Sequence, residues 1–435
     1  MKKINNPQDI PFWYAHTRKT PKKLTHSFKT DVVIVGGGLA GITAAQKFKE
    51  KGFSVVLLER HFCGSGATGK STGFITADSE LDLGYMARVF GPDKARTLWE
   101  FLLGGLHLIE DNIKKYDLKC DYRKEKTLVV ANSRHTFKIV QQEHETRKQF
   151  NYESELHDAQ GVSNILGSSN YYGGVSYGGT FGINPYLYMQ GMKDVLVGHG
   201  VDVYEETPVT EIKSHSVISQ GVEIHADRIV VCVDYKTASL QKLKTELYHA
   251  QTFVMMSAPL TDKQIQHIFP NDMYMVWDTD LVYQYYRLVQ DNRLVMGGAS
   301  MFSSFWPYER HNASGIYRKL NRYMKHKFPQ VDLDFQYMWP GLIGVSKDIM
   351  PIAGFDERNE SIYYLAGVAG LTWAAALGNY CVERIIDNKD YLDDIFSPTR
   401  NFPLPGFAQY IIGKPATFAI SNFISLVVKR ALCRR

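Results

Sequence analysis

The sequence predicts a mixed α/β fold: a unit built on a parallel sheet, interleaved with an α+β part built on a mostly antiparallel sheet. Two patterns carry this. Through the first 236 residues, and again after about residue 340, short continuous apolar runs are separated by helical segments. Strands buried on both faces and joined by crossover helices read in this way. From Tyr248 to Phe305 the composition changes to alternating strands. There Asp291-Asn292 makes a tight turn between Tyr283–Leu288 and Leu294–Gly297.

The first unit runs from Asp31 to Arg60. Val32–Val35 reads as a buried strand, Gly36, Gly38 and Gly41 form G-x-G-x-x-G, and Ile42–Lys51 reads as a helix with Ala44, Ala45 and Phe48 inward. Gly52 stops the helix, and Val55–Leu58 is a second strand ending at Glu59. The first glycine turns the chain, the second lets the backbone approach a pyrophosphate, and the third lets the helix pack on the sheet. A carboxylate about 20 residues past the glycines can accept hydrogen bonds from both hydroxyls of an adenosine ribose. The order predicts a Rossmann-like dinucleotide site, with Gly36, Gly38, Leu39, Ala40 and Gly41 at the phosphates and Glu59 and Arg60 at the adenosine.

Composition narrows the rest. A chain of 435 residues with 44% hydrophobic and 13% aromatic content builds a sizeable core and is not disordered. A charge of +5 without a zinc-finger or RNA-binding motif excludes nucleic acid as the expected partner. The five cysteines are odd in number, widely spaced and lack C-x-x-C, and the 14 histidines fall at no metal-ligand spacing. Neither a disulfide framework nor a metal site is expected, and a reducing, cytoplasmic compartment fits. Lys2 and Lys3 precede no apolar run, so no secretory signal is expected, and no stretch reaches the roughly 18 apolar residues of a membrane span.

Along the chain, residues 1–30 read as an arm on the surface, anchored by Phe12, Trp13 and Tyr14. A second glycine-rich turn, HFCGSGATGKSTGFIT (61–76), places Gly66, Ala67, Thr68, Lys70, Ser71 and Thr72 where small residues and free N–H groups suit the middle of an extended cofactor. Residues 86–115 read as one helix, 120–132 as a strand or hairpin, and 133–150 as a polar helix. Asn184-Pro185 opens a further helix, which leads through Gly200 to a strand and to Val209. Near the end, Ile362–Leu365, Gly367, Gly370 and a helix from Leu371 and Thr372 repeat the logic of the opening motif. The positive end of that helix would stabilise charge on a reduced ring. The expected division is a parallel-sheet domain of residues 31–85, 185–236 and 340–392, and a substrate domain of 86–184 and 237–339. The tail, 393–435, has no acid after Asp394 and six bases. Its apolar stripe Ile420, Phe423, Ile424, Val427 and Ala431 either lies on an anionic membrane surface, making the protein peripheral, or covers its own domain or a partner.

Together the motifs VVIVGGGLAG with Glu59, GSGATGKSTGF, GINPYLYMQGM, YYRLVQDNRLVMGG, GVSKDIMPIAG and LAGVAGLTWAAALG resemble the FAD-dependent oxidoreductases of the D-amino-acid oxidase fold. Within that family the sequence looks closest to the γ-glutamylputrescine oxidase and Rieske-carrying branch, without a Rieske domain. The resemblance implies FAD rather than NAD, an amine or amino acid as substrate, and oxygen or a quinone as electron acceptor. It also implies that Val209 and Gly344 touch the cofactor, and that attachment is non-covalent, since Lys70 stands where some relatives place a linking His. The sequence departs from the family at Cys232-Val233-Asp234, where Ala-Thr-Gly is usual, and at Leu371-Thr372-Trp373. A flavoprotein scaffold or assembly factor is the alternative function.

Hydride transfer to flavin needs a substrate carbon held about 3–3.5 Å away and no strong base. Arg287 is the candidate carboxylate anchor, and Tyr285 faces the same side of its strand. The alternative for this pair is a surface salt bridge and a packing ring. Lys347 is a candidate cation at the flavin edge or a solvated turn lysine. Trp373 is a pocket wall or ordinary core, and Trp277 and Tyr283 are further candidate walls.

Overall fold

The continuous apolar runs become the strands of a sheet buried on both faces. Phe28–Val35 lies between Val55–Leu58 and Val222–Val231, parallel to both; Asp202–Tyr204 extends one side in parallel, and Asn359–Ala366 runs parallel to the second half of Val222–Val231. Val209–Lys213, Ser216–Ser219 and Ile352–Asp356 complete the eight strands with antiparallel pairings. Val32 and Ile34 point into one core and Val33 and Val35 into another, which is why the second half of this strand carries no polar residue. The computed structural model describes residues 11–15, 21–78, 81–234, 246–280, 283–304 (299–304 as backbone) and 313–400, with positions 8, 243, 309, 411, 413, 416, 417 and 420 besides. The amphipathic stripe read in the tail lies outside the described residues, apart from Ile420.

The helices Leu39–Glu50, Pro92–Lys115, Pro185–Gly198 and Leu371–Ile386 contribute to the first core. Leu371–Ile386 lies so close to Leu39–Glu50 that a Cβ at Gly378 would sit 2.5 Å from the carbonyl oxygen of Ala40. The single helix expected over 86–115 is two, Leu83–Phe90 and Pro92–Lys115. Gly91 (φ +82°) breaks it and Pro92 starts the second piece, since proline fits only a first turn. That second helix, expected in the substrate domain, packs on Leu371–Ile386 within the first core.

A second sheet of eight strands runs in the order Phe335–Ser346, Leu247–Pro259, Arg293–Ser304, Tyr285–Val289, Tyr274–Asp278, Lys126–Val130, Gly173–Tyr177, Glu155–Asp158. All neighbours are antiparallel except Tyr274–Asp278 and Lys126–Val130. Phe335–Ser346 pairs with Leu247–Pro259 over its whole length, so the second sheet continues past the boundary drawn at 340. A three-stranded ribbon, Phe74–Ile75, Phe181–Gly182 and Arg123–Lys124, is a separate small sheet. The aromatic knot is set into the protein: Trp13 is fully buried, edge-on to Trp339 with centroids 6.4 Å apart. Among the described residues no helix is long and apolar enough to cross a membrane.

A buried charge cluster ties helices to the second sheet. Arg147 donates to Asp78 and Glu143, each at 2.8 Å, between the rings of Trp99 and Tyr177, while Glu143 accepts from the N–H of Gly84. Burial pushes the Glu143 carboxyl up to about 7, and Arg147 opposes the shift. Arg147→Met strands two carboxylates and should cost about 3–5 kcal/mol of stability. A calorimetric melting temperature equal to wild type would show that the carboxylates take up protons instead.

Candidate functional site

The parallel strands end at Val35, Leu58, Val231 and Ala366 along one edge, and the glycine-rich segments gather outside it, where ligands bind in open α/β sheets. Gly36 has φ +112°, and a Cβ on it would lie 2.5 Å from the carbonyl oxygen of Cys232. A Cβ at Gly41 would lie 2.0 Å from the Gly36 oxygen, so the turn closes only with glycine at both places. Helix Leu39–Glu50 starts at Gly38 without a side-chain cap, although Thr68 Oγ1 accepts from the Leu39 N–H at 3.2 Å. Ala40 follows in the first turn of that helix.

Glu59 stands at the end of the second strand with its carboxylate fixed. Oε2 accepts from the N–H of Gly37 at 2.7 Å, and Oε1 from the N–H of His61 at 2.9 Å. The Glu59 backbone bonds to Tyr204 and Thr207, which brings the segment leading to Val209 to the same corner; Arg60 is exposed. A pair missed in the sequence supports this corner: Lys193 lies 3.2 Å from the Glu205 carboxylate, which also accepts from the Cys63 N–H. Lys193 lies inside helix Pro185–Gly198 and Glu205 just past strand Asp202–Tyr204, and nothing in their local sequence signals that they pair.

Short helix Ala67–Lys70 begins at Gly66, where an added Cβ would meet nothing within 4 Å. Ser71 and Thr72 follow it, Thr72 buried. Lys70 is engaged by the Glu309 carboxylate at 2.6 Å rather than held as a free cation. Helix Leu371–Ile386 begins at Gly370 (φ +89°), again without a side-chain cap, and Thr372 Oγ1 is buried with no hydrogen-bond partner among the described residues. Asp234 replaces the expected glycine yet keeps a positive φ of 47°. Its carboxylate accepts from the N–H of Gly344 at 2.7 Å and of Val368 at 3.2 Å, tying the second sheet to the late glycine turn. His249 and Gln251 are buried on the neighbouring strand, His249 paired across from Gly344; their alternation read only as a strand.

Arg287, Lys347 and Trp373 are all buried. Arg287 faces the same side as Tyr285, but the small ribbon covers it: it is 0% exposed and donates to the carbonyls of Thr72 (2.9 Å) and Ile183 (2.5 Å), with Glu125 at 3.9 Å. It is neither an open anchor nor a surface salt bridge. Burial depresses its pKa and raises that of Glu125. Lys347 is buried and paired with Glu246 at 3.1 Å, so it is no solvated turn lysine. Trp373 packs on Phe101 and Phe396 in the helix core, with centroids about 6 Å away, because its place on the helix turns it from the sheet edge. Tyr285, by contrast, is half-buried. Phe74 lies 5.8 Å from Tyr285 and 5.9 Å from Trp277, and Tyr283 lies 5.6 Å from Tyr285.

These residues fit an extended FAD. Gly36 and Gly41 exclude side chains from the turn, Gly66 leaves open space, and Thr372 offers an unused buried hydroxyl beside an uncapped helix start. Comparison with known proteins agrees. Residues 31–384 match the family model of the FAD dependent oxidoreductases, DAO. The chain is 28% identical to a probable oxidoreductase OrdL of Haemophilus influenzae, over 85% of this chain and 86% of that one. It is 27% identical to the gamma-glutamylputrescine oxidoreductase of Escherichia coli, over 88% and 89%. The glycine oxidase structure from Geobacillus kaustophilus superposes with a TM-score of 0.74 at 17% identity, covering 87% of this chain and all of that one, and shows the shared fold. The chain belongs to the DAO family and is an FAD-dependent oxidoreductase.

Proposed function

We propose that this enzyme oxidises the carbon–nitrogen bond of an amine or amino acid whose nitrogen sits among Phe74, Trp277, Tyr283 and Tyr285, with electrons passed to oxygen or a quinone. One observation carries the reading: Phe74 directly follows the glycine turn of the cofactor site, the half-buried rings of Trp277 and Tyr285 from the second sheet lie against it, and that of Tyr283 lies against Tyr285. The relatives named for gamma-glutamylputrescine and glycine act on nitrogen compounds of this class.

Bound FAD supplies the electron sink for a hydride leaving the carbon next to nitrogen. The protein's own part is positioning and electrostatics. Aromatic faces attract the positive charge of an arriving ammonium, which must give its proton to solvent before hydride can leave, and of the iminium that the neutral amine becomes; they also shed water around the carbon that reacts. The ring of Tyr285 lies over Gly297, where a Cβ would come within 2.2 Å of it, so its place is set by the sheet beneath. The uncapped start of Leu371–Ile386 presents N–H groups and a positive dipole end, which favour negative charge on the ring system.

Anaerobic titration of the yellow protein with primary amines, N-methylated amino acids and D-amino acids should bleach the visible flavin band with at least one compound class. A panel without any bleaching would instead support the scaffold alternative. With a bleaching compound in hand, Tyr285→Ala and Trp277→Ala should each raise KM by about 3- to 30-fold, the range of a desolvated cation–π contact. kcat should change little, because the interaction is made before and during the reaction alike. A fall in kcat at constant KM would take the rings out of substrate binding.

A further inference from the structure

Four successive carbonyls of the second glycine turn are each held by a different donor. Trp339 Nε1 donates to Lys70 O at 2.9 Å, Trp13 Nε1 to Ser71 O at 3.0 Å, Arg287 Nε to Thr72 O at 2.9 Å, and the Ile183 N–H to Gly73 O at 2.9 Å. Just upstream, the Tyr14 hydroxyl lies 3.1 Å from Gly64 O and 3.0 Å from Ser65 O. Gly73 itself (φ +76°) is pressed so close to Ile183 that a Cβ would lie 1.9 Å from its oxygen.

We infer that the cofactor turn Gly64–Gly73 is shaped from outside the parallel-sheet unit, and that Trp13 of the N-terminal segment is a positioning residue for FAD through the Ser71 carbonyl. In a planar trans peptide the carbonyl of one residue and the N–H of the next point in opposite directions. Holding the carbonyls of residues 70–73 therefore also aims the N–H groups of residues 71–74. Ser71 returns its N–H to Thr68 O and Gly73 its N–H to Ser71 Oγ, both at 3.3 Å, which leaves the turn with one conformation of its peptide planes. The three side-chain donors come from the segment Phe12–Ala15 and from two strands of the second sheet, Tyr285–Val289 and Phe335–Ser346. They converge because Trp13, Trp339 and Tyr186 share a small core with Val254, Val289 and Val295. The N-terminal segment thus acts as a wedge that couples the substrate sheet to the cofactor turn, and Arg287 does the same one residue further on.

Trp13→Phe keeps an aromatic ring in the wedge and removes only its donor. FAD release from the full-length holoenzyme, read as the fluorescence of free flavin on dilution, should show about tenfold weaker binding, as one lost buried hydrogen bond permits. The visible circular dichroism of the remaining bound flavin should change with it. Phe12→Leu perturbs the same cluster without touching a donor and should leave FAD affinity within about twofold. Equal FAD affinity and an unchanged flavin spectrum in Trp13→Phe would overturn the inference, as would equal weakening by Phe12→Leu. If Trp13→Phe does not fold, Trp339→Phe tests the adjacent carbonyl by the same readouts, with Arg287→Lys expected to hold FAD more tightly than Arg287→Met.

Discussion

The closeness of backbone to backbone at the carboxyl edge of the parallel sheet is the constraint on which the remaining architecture rests. A side chain on Gly36 would strike the Cys232 carbonyl, and one on Gly41 would strike Gly36. Only with these contacts made can the strand ending at Val231 lie beside Phe28–Val35 and deliver Asp234 to the same edge. Asp234 then gathers Gly344 from the second sheet and Val368 from the late glycine turn. The edge is therefore a junction of both sheets, and the cofactor site is a property of their docking rather than of either alone.

Charged groups taken out of water are paired around this junction. Lys193–Glu205 holds the corner of Glu59, Arg147 joins Asp78 and Glu143, Arg287 lies near Glu125, and Lys347 meets Glu246. Desolvation offsets much of the attraction in each pair, so none is strong evidence of stability. What each does is penalise any arrangement in which one partner is buried without the other. Arg287 shows this most clearly: its guanidinium fills the space beside Gly182 and Gly73 and holds backbone carbonyls, with no open side from which a substrate could be met.

The cofactor elements were legible in the sequence because their chemistry is local. Strand, glycines, helix, strand and acid occupy one stretch of about 30 residues, and the geometry they require forbids most other residues at those places. Cap and turn signals were local as well: Asn184 caps its helix, and Ser133 closes a capping box with Thr136. Asp291 and Asn292 both adopt the left-handed conformation between the strands that they were expected to join. The break at Gly91-Pro92 is equally local, yet the apolar spacing runs on across it and masks it.

The catalytic candidates were another matter. Residue type and neighbours in sequence single out Arg287, Lys347 and Trp373, and strand periodicity places Arg287 on the face of Tyr285. Periodicity says which face of a strand a residue takes, not what covers that face. A ribbon from residues 74–75, 123–124 and 181–182 covers Arg287 completely and leaves Tyr285 half-buried against Phe74. The sequence alone thus determined the fold class, the parallel and antiparallel parts, and a dinucleotide site, since backbone sterics and hydrophobic period act over a few residues. Only the tertiary structure decided which polar side chains are used up in holding the chain together, because partners such as Trp13 and Ser71 meet across distances in sequence that no local pattern encodes.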